Sequence, residues 1–523
     1  MSVAEASQSP QFVASEHEPT RSVGDVVEVI CLVVMTLAGL VAWTVGAFSK
    51  GYDYDEVLRA HSIWLTAQGL RPYSDFFEVH PPYFVLFSPV MRAISDPVDG
   101  IRALRLLTAT GNLLFLAGMI VLGRKSLADG TDRRWAWLAV AFVAFNPYIL
   151  DDLVEFRVDG WGYAAIVWAT ARLCGGIRAY RRLVEFGAAS AIAAAVLAPK
   201  TVFVPPLIAL FAMAIDFKSW RGFVRSGMAY LAGVGIAVCV FLASLLAHGV
   251  ALDRTILLLG RYHAVSNAHA GFGFGLLKTI LMLRPLFFLS MAAFGAWGFV
   301  CVHRRKLTGP FEPAVAAWLL MQAVLVTYPY KQYYASWFLF ASAFAPSLGP
   351  IFSACLGRAR SIVFVAACIV SVAGSAQIAR FWATAGTART ENKLIAWMNT
   401  ISTPDDRVVG SPPYHPIRRL DTFFLSFNTT DPGGFDSERI FGELPALRPF
   451  VSADHYRSEL DSHPPALIVL KSPFFEVKYP ATQKRALDDY VLRRGYRTVR
   501  VAGVWFALRP DRFEFAKSHG MLE

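Results

Sequence analysis

The sequence predicts an α-helical membrane protein with many spans, followed by a small α/β domain. Three observations support this fold class. Of the 523 residues, 55% are hydrophobic and only 17% are charged, and the mean hydropathy is +0.43, which is too little charge for a soluble chain of this length. The apolar residues occur in long blocks, many of them separated by short basic clusters. The chain after about residue 384 is more polar and is long enough for a small domain of its own.

The first element in chain order is a polar tail. Residues 1–22 are aperiodic and rich in Ser, Glu and Gln, so we expect a disordered cytoplasmic tail over residues 1–24. The apolar block from Val26 to Phe48 follows, with Glu28 as its only charge. A membrane span needs about 20 such residues. The block is too long for a cleaved signal peptide and no basic segment precedes it.

About eleven spans are predicted in the membrane domain, residues 25–383. Short basic loops stay in the cytoplasm during insertion. Counting spans from a cytoplasmic N-terminus places five basic clusters inside, and it places the loop 49–99 and the tail 384–523 on the periplasmic side of an inner membrane. The predicted spans are 25–48, 100–122, 135–150, 159–173, 183–198, 201–216, 226–247, 279–301, 311–328, 333–352 and 361–380.

The formal net charge of +11 is carried largely by these basic loops. It therefore indicates topology and gives no support for a nucleic-acid partner. The six cysteines lie inside apolar blocks or at their basic ends, so we expect no disulfide in the outer loops or the tail. No Cys/His cluster in the sequence indicates a metal site.

The tail 384–523 shows alternating strand and helix patterns. Ala466–Leu470 and Val504–Leu508 are predicted strands, and Ala481–Arg494 is a predicted helix. We therefore expect a small α/β domain on the periplasmic face of the membrane domain.

The outer loop 49–99 carries acidic residues close after the first span. Asp55 and Glu56 begin an apolar-periodic segment, predicted to be an amphipathic helix lying along the membrane interface. Asp53, two residues earlier, is interpreted as a solvated loop carboxylate. A second interpretation gives these acids only a structural role, because acidic side chains stabilise the N-terminal end of a helix dipole.

The order of motifs resembles the GT-C glycosyltransferase superfamily, in the bacterial branch that contains the protein O-mannosyltransferases and the lipid A aminoarabinose transferase. The resemblance covers roughly residues 25–350. His80 departs from the pattern, because the family often has lysine there. The motifs are Asp55-Glu56, Gly69-Leu-Arg-Pro-Tyr73, His80-Pro81-Pro82, Gly100-Ile-Arg-Ala-Leu-Arg-Leu-Leu, Arg157-Val-Asp159, Lys200 and Tyr328-Pro-Tyr-Lys-Gln-Tyr-Tyr334.

The resemblance implies a GT-C-like fold and an inverting glycosyltransferase on the periplasmic face. The implied donor is a sugar linked to undecaprenyl or a similar polyprenyl phosphate, and the implied acceptor is lipid A, a lipopolysaccharide core or another envelope glycan. Asp55 would be the catalytic base, and Glu56 would orient donor or acceptor. The sequence does not decide whether a divalent metal is required.

A phosphate leaving group needs nearby cations as its charge develops. The implied substrate-binding residues are Arg59, His80, Arg157, Asp159, Lys200 and Lys331, all predicted on the outer face. Structural alternatives exist for the two arginines. Arg59 can pair with Asp55 at i,i+4, and Arg157 can pair with Asp159 or Glu155.

The remaining cations have structural alternatives as well. Lys200 can extend to the membrane interface, Lys331 can be an aromatic-belt anchor among its tyrosines, and His80 can shape the turn into the double proline. Two other function classes also compete. A transporter or flippase of lipid-linked glycans would place more ionisable residues inside its spans. A scaffold that only presents the tail domain would not need these motifs.

Overall fold

The structure is a computed structural model that describes residues 23–522. Its gaps are 77, 79, 127–132, 175–179, 195, 197–201, 263–264, 266–273, 305–306, 308, 327–329, 423–443, 445–452 and 472–480. The expected disordered tail therefore lies almost entirely outside the described residues, and so does Lys200.

Helices account for most of the described chain up to residue 401. Some are joined by other helical types, a π-helix at Ile256–Tyr262 and 3₁₀ turns at Ser342–Ser347 and Gly357–Arg360. The α-helices are α1 (Val23–Ser49), α2 (Tyr54–Ala67), α3 (Phe84–Ala93), α4 (Pro97–Ser126), α5 (Arg133–Ala144), α6 (Pro147–Leu153), α7 (Asp159–Leu173), α8 (Tyr180–Ala194), α9 (Val204–Ile215), α10 (Trp220–Ala247), α11 (Leu252–Thr255), α12 (Gly275–Met282), α13 (Arg284–Arg304), α14 (Phe311–Leu325), α15 (Lys331–Ala341), α16 (Leu348–Leu356), α17 (Ser361–Ala385) and α18 (Thr387–Ile401).

Six helices of the described chain are long and apolar enough to cross a membrane, and α5 with α6, bent by 77°, would make a seventh. Each predicted span overlaps a described helix. However, α7, α8 and α14 have 15 residues and α9 has 12, fewer than the about 20 that a straight span requires. The polytopic helical architecture is confirmed, and the count of eleven stays a prediction.

Among the described residues after 401, a five-stranded sheet and three helices form the C-terminal part. The strand order is β2-β1-β3-β5-β4, with β1 parallel to β2 and β3, and β5 antiparallel to β3 and β4. The predicted strands and helix are confirmed as β3, β5 and α20. The elements are β1 (Arg407–Val409), β2 (Leu420–Asp421), α19 (Ala453–Ser462), β3 (Pro465–Lys471), α20 (Ala481–Arg493), β4 (Arg497–Val501), β5 (Val504–Leu508) and α21 (Pro510–Ser518).

The first loop and the C-terminal sheet share one hydrophobic core. Apolar side chains of α2, α3, α18 and the sheet pack into a single buried cluster, which includes Val57, Ile63, Phe84, Ile395, Met398, Val469 and Phe506. This packing places the loop and the tail at the same end of the helical body. That arrangement agrees with the predicted shared side of the membrane.

Candidate functional site

The candidate site begins with a capping box at the start of α2. The Asp53 carboxylate accepts the backbone N–H of Asp55 at 3.0 Å, and the Glu56 carboxylate accepts the backbone N–H of Asp53 at 2.9 Å. Together they satisfy two N–H groups that a helix start leaves free. Asp53 is thus a structural N-cap and not only the solvated loop carboxylate that the sequence suggested.

The helix α2 is enclosed by protein on nearly all sides. Every residue from Glu56 to Ala67 is buried. The expectation of an amphipathic helix lying on the membrane interface was therefore wrong. The polar side chains of α2 are covered by α4, by the segments that contain Glu78 and Phe156, and by the C-terminal part. The local sequence pattern of α2 does not reveal these contacts.

Glu56 is fixed inside the protein and is only 1% exposed. Its carboxylate accepts two N–H groups from Arg105 of α4, at 2.7 and 2.8 Å, and the backbone N–H of Phe156 at 2.6 Å. Burial opposes ionisation, but the charge of Arg105 outweighs it and holds the pKa of Glu56 below its usual value. Glu56 therefore orients α2 and has no exposed face for a substrate.

Asp55 lies one turn before Arg59 and keeps an exposed edge. Its side chain is 27% exposed, and Arg59 donates to its carboxylate at 3.2 Å. An Arg157 nitrogen lies 3.8 Å away. Burial favours the neutral form, but Arg59 and then Arg157 outweigh it and lower the pKa of Asp55. Asp55 is therefore an accessible, ionised carboxylate held between two guanidinium groups.

Asp53 has the opposite electrostatic character. Its side chain is 30% exposed, and its nearest ion-pair contact, to Arg157, is 3.9 Å. Burial, followed by the negative charges of Glu155 and Asp55, raises the pKa of Asp53 to about 6. Two carboxylates in one turn of chain thus have separated pKa values, an arrangement found where acid and base roles are divided.

Glu155 joins three cations close to these two aspartates. It is fully buried, and its carboxylate accepts from Lys50 at 2.6 Å, from Arg157 at 2.8 Å and from Lys331. Burial opposes the charge, but Lys50, Arg157 and Lys331 hold the pKa of Glu155 well below its usual range. Asp151 adds a second anion, 3.0 Å from Lys50 and 3.2 Å from Lys331.

The structural alternatives for the two arginines are both observed. Arg59 pairs with Asp55, and Arg157 pairs with Glu155 and also with Asp152 at 3.2 Å. Each arginine therefore has a structural role whatever its role in binding. Arg157 is 7% exposed, so its position is set by the acids around it.

The other predicted binding residues lie around this cluster. Nδ1 of His80 lies 2.7 Å from a carboxylate oxygen of Glu78, and 24% of the His80 side chain is exposed. Asp159 begins α7. Burial lowers the pKa of Arg59, but Asp55 and, to a smaller extent, Asp159 raise it above its usual value. Lys200 lies outside the described residues.

Sequence reasoning missed Lys50, Arg105 and Glu155 as members of the site. Lys50 lies two residues after the first apolar block, and Arg105 lies in a segment that carried the family resemblance. The clearest available signal was the acidic run just before Arg157, which contains Asp151, Asp152 and Glu155 within five positions. An acidic cluster at the end of an apolar block is costly unless cations neutralise it.

Comparison with solved structures identifies the fold. No family model and no curated protein sequence matches the chain. The structure resembles that of ArnT from Cupriavidus metallidurans bound to undecaprenyl phosphate, with a TM-score of 0.58 and 14% identity over 91% of this chain and 97% of that chain. The apo form of that ArnT gives a TM-score of 0.58 at 13% identity over the same shares. The chain has an ArnT-like GT-C fold.

An apo oligosaccharyltransferase from Archaeoglobus fulgidus is also similar, with a TM-score of 0.50 and 13% identity over 86% of this chain and 70% of that chain. At such low identity these likenesses establish the fold alone. The GT-C resemblance carried by the sequence motifs is confirmed at that level.

In this GT-C fold, a buried group joins α2 to the C-terminal part. One ligand atom each of His61, His415 and Asp421 lies within 4.8 Å of the others. His61 directs Nδ1 at the carbonyl oxygen of Ile417 and Nε2 at Asp421, both at 2.7 Å. Both ring nitrogens of His61 therefore face acceptor oxygens.

The second histidine shows why this group favours hydrogen bonding over metal binding. Nδ1 of His415 accepts the backbone N–H of Ile417 at 2.8 Å, so its proton is on Nε2, which faces Asp421 at 3.0 Å. A metal on Nε2 would move the proton to Nδ1, against the Ile417 N–H. We call these three residues the His–Asp clasp.

Proposed function

We propose that the protein is a membrane glycosyltransferase that moves a sugar from a polyprenyl-phosphate-linked donor to an envelope acceptor on the periplasmic face. The acceptor class we propose is lipid A, a lipopolysaccharide core or another envelope glycan. The observation that carries this proposal is the pair of partly exposed carboxylates, Asp53 and Asp55, set beside a cluster of largely buried cations. The ArnT-like fold supports it, since that ArnT was solved with undecaprenyl phosphate bound.

In the proposed reaction, Asp55 removes a proton from the acceptor hydroxyl as its oxygen attacks C1 of the sugar. The bond from C1 to the phosphate oxygen breaks, and the polyprenyl phosphate leaves with the electron pair. Because the acceptor oxygen attacks from the side opposite to the leaving group, the configuration at C1 is inverted. Asp55 suits the role of base because it is ionised and keeps a solvent-accessible edge, whereas the buried Glu56 suits a positioning role.

The proposed phosphate contacts come from the cations around Glu155. Lys331 is the most accessible of the lysines in this cluster, with 25% of its side chain exposed, and it can turn from Glu155 to a phosphate oxygen while Lys50 and Arg157 continue to neutralise the acid. Arg59, His80 and Lys200 are proposed to complete the phosphate site, with Asp159 orienting Arg59.

A transfer assay tests the proposal directly. Purified protein is incubated with radiolabelled polyprenyl-phosphate sugars and cell-envelope lipids, with and without a chelator to test for a divalent metal. Label in an acceptor lipid supports the enzyme, and the Asp55→Asn protein serves as the inactive control. Label that crosses a liposome unchanged, with no transfer, would support a flippase and contradict the proposal.

A further inference from the structure

A basic cavity lies beside the candidate site, where the outer end of α1 meets α4, α17 and α18. Its volume is about 450 Å³. Arg102, Arg389 and Lys393 line it together with Asn392, and the aromatic side chains of Phe48 and Trp382 form its apolar side. The cavity therefore combines positive charge and apolar surface at one end of the membrane helices.

The amphipathic pattern of α18 explains why two of these cations face the cavity. Gly386 adopts a left-handed backbone conformation with φ of 67° and separates α17 from α18. Along α18, Arg389 and Lys393 are four residues apart and so lie on one face. The opposite face buries Leu394 and Met398 in the core shared with α2. The apolar face fixes the helix, so the cations must point into the cavity.

The positive charge of the cavity is only partly neutralised. Arg102 donates to Asp99 at 2.9 Å. Among the described residues, neither Arg389 nor Lys393 forms an ion pair or a side-chain hydrogen bond, and both are exposed. Positive groups at the membrane surface attract anionic lipid, each by a modest amount.

The apolar side of the cavity continues along the membrane helices. Phe48, which is 46% exposed, lies 5.8 Å from the Arg102 guanidinium, and the ring of Trp382 packs closely against Gly46. Because α1 and α17 have the composition of membrane spans, an acyl chain can lie beside Phe48 while its headgroup reaches the cations. We propose that this cavity binds the phosphate headgroup of an anionic phospholipid from the surrounding membrane.

The cavity is coupled to the loop that carries Asp53. Asn392, in the cavity wall, accepts a hydrogen bond from the Tyr52 hydroxyl at 2.6 Å, and the neighbouring Glu391 carboxylate accepts the Tyr52 backbone N–H at 2.6 Å. Tyr52 directly precedes Asp53 in the chain. A bound lipid would therefore hold α18 in place against the loop. The lipid site does not depend on the reaction proposed above.

Lipid binding to the full-length protein tests this inference. The protein in detergent is titrated with phosphatidylglycerol or with phosphatidylcholine, and bound lipid is measured by native mass spectrometry. The test variant is Arg389→Gln with Lys393→Gln. The matched control is Arg497→Gln with Lys517→Gln, which removes two exposed positive charges from the C-terminal part.

The test variant should bind phosphatidylglycerol about 10- to 30-fold more weakly than the unmodified protein, as two interfacial cations are lost. Its affinity for phosphatidylcholine, and the affinities of the control, should not change. Equal affinity of the unmodified protein for the two lipids would overturn the proposal. So would an equal loss in the control, or displacement of the lipid by millimolar inorganic phosphate, which would indicate a site for a free anion.

Discussion

Glu56 and Arg105 form a two-point ion pair that joins α2 to α4, with N–O distances of 2.7 and 2.8 Å and both side chains 1% exposed. The same Glu56 carboxylate accepts the backbone N–H groups of Asp53 and Phe156. One buried group therefore fixes the start of α2, the span α4 and the segment before Arg157. The two partly exposed aspartates, Asp53 and Asp55, depend on this arrangement for their positions.

Glu56→Gln should destabilise the protein and reduce transfer indirectly. The substitution leaves Arg105 without a buried counter-charge, and breaking a buried ion pair typically costs about 3–5 kcal/mol. Thermal unfolding in detergent should show a Tm lower by several degrees. The exposed Glu514→Gln is the control and should unfold like the unmodified protein. An unchanged Tm for Glu56→Gln would show that the pair does not hold α2.

The sequence predicted helix positions well because apolar periodicity is local. It also singled out Asp55 and Glu56 as candidate site residues, since acidic residues after a span stand out, but it did not predict that Glu56 is buried. The pairing of Glu56 with Arg105 joins positions 49 residues apart in the chain, and no local pattern indicates it. The burial of α2 likewise depends on contacts with the C-terminal part. The strands β1 and β2, with three and two residues, are too short for an alternating pattern to predict.

Lys331→Gln should weaken donor binding by about tenfold or more without loss of stability. A charge-assisted contact contributes roughly 1.5–3 kcal/mol, and Glu155 keeps Lys50 and Arg157 as partners after the substitution. Donor affinity is measured by titration with a polyprenyl-phosphate sugar. Arg157→Ala should lose both donor binding and thermal stability, because it removes the counter-charge of buried acids.

If Lys331→Gln binds donor like the unmodified protein, Lys331 is only a structural cation. The phosphate site would then have to be sought at His80 and Lys200. The exposed Arg497→Gln is the matched control for a lost positive charge, and its donor affinity should not change.

Asp421→Asn should destabilise the contact between α2 and the C-terminal part. The substitution removes the anion that faces His61 and His415, and an uncompensated buried charge costs about 3–5 kcal/mol. The Tm in detergent measures this loss, with the exposed Asp405→Asn as control. Added zinc should not raise the Tm of the unmodified protein. A rise with zinc that Asp421→Asn abolishes would show a metal site instead.

The His–Asp clasp also predicts a direction for pH dependence. Burial, followed by the charge of His61, lowers the pKa of His415 to about 4 from its usual 6.5. Between these values the unfolded chain binds more protons than the folded one, so this contribution to stability is lost as the pH falls from 6.5 to 4. The Tm of the His415→Gln protein should therefore depend less on pH between 6.5 and 4 than the Tm of the unmodified protein.

Reporter fusions should give the topology that the basic clusters predict. Fusions after Arg134, Arg182, Arg225, Lys306 and Arg360 should report cytoplasm, and a fusion at Glu523 should report periplasm, because short basic loops stay inside. The side of the membrane on which each fusion point lies is measured with paired phosphatase and fluorescent-protein reporters. A cytoplasmic result at Glu523 would place the packed loop and tail inside and contradict the proposed periplasmic reaction.

Asp53 and Asp55 should differ in the transfer assay. Asp55→Asn keeps the size of the side chain but removes its basicity, and loss of a general base typically reduces the rate by about 10²–10⁴. Asp53→Asn should be milder, because asparagine caps a helix as well as aspartate does. Both proteins should keep their Tm and their donor affinity, which separates a loss of chemistry from a loss of folding or binding.

The pH profile separates the roles of the two carboxylates further. Asp53 has a pKa of about 6, so it is ionised above that value and gains a proton below it. The negative charge of Asp53 faces Arg157. Protonation of Asp53 should therefore lower the transfer rate as the pH falls through 6. The Asp53→Asn protein should not show this fall in rate near pH 6. Asp55 has a lowered pKa and should add no change in rate near pH 6.

If Asp53→Asn is inactive while Asp55→Asn turns over normally, Asp53 is the base. If both substitutions leave transfer unchanged, the proposed chemistry of this loop is wrong.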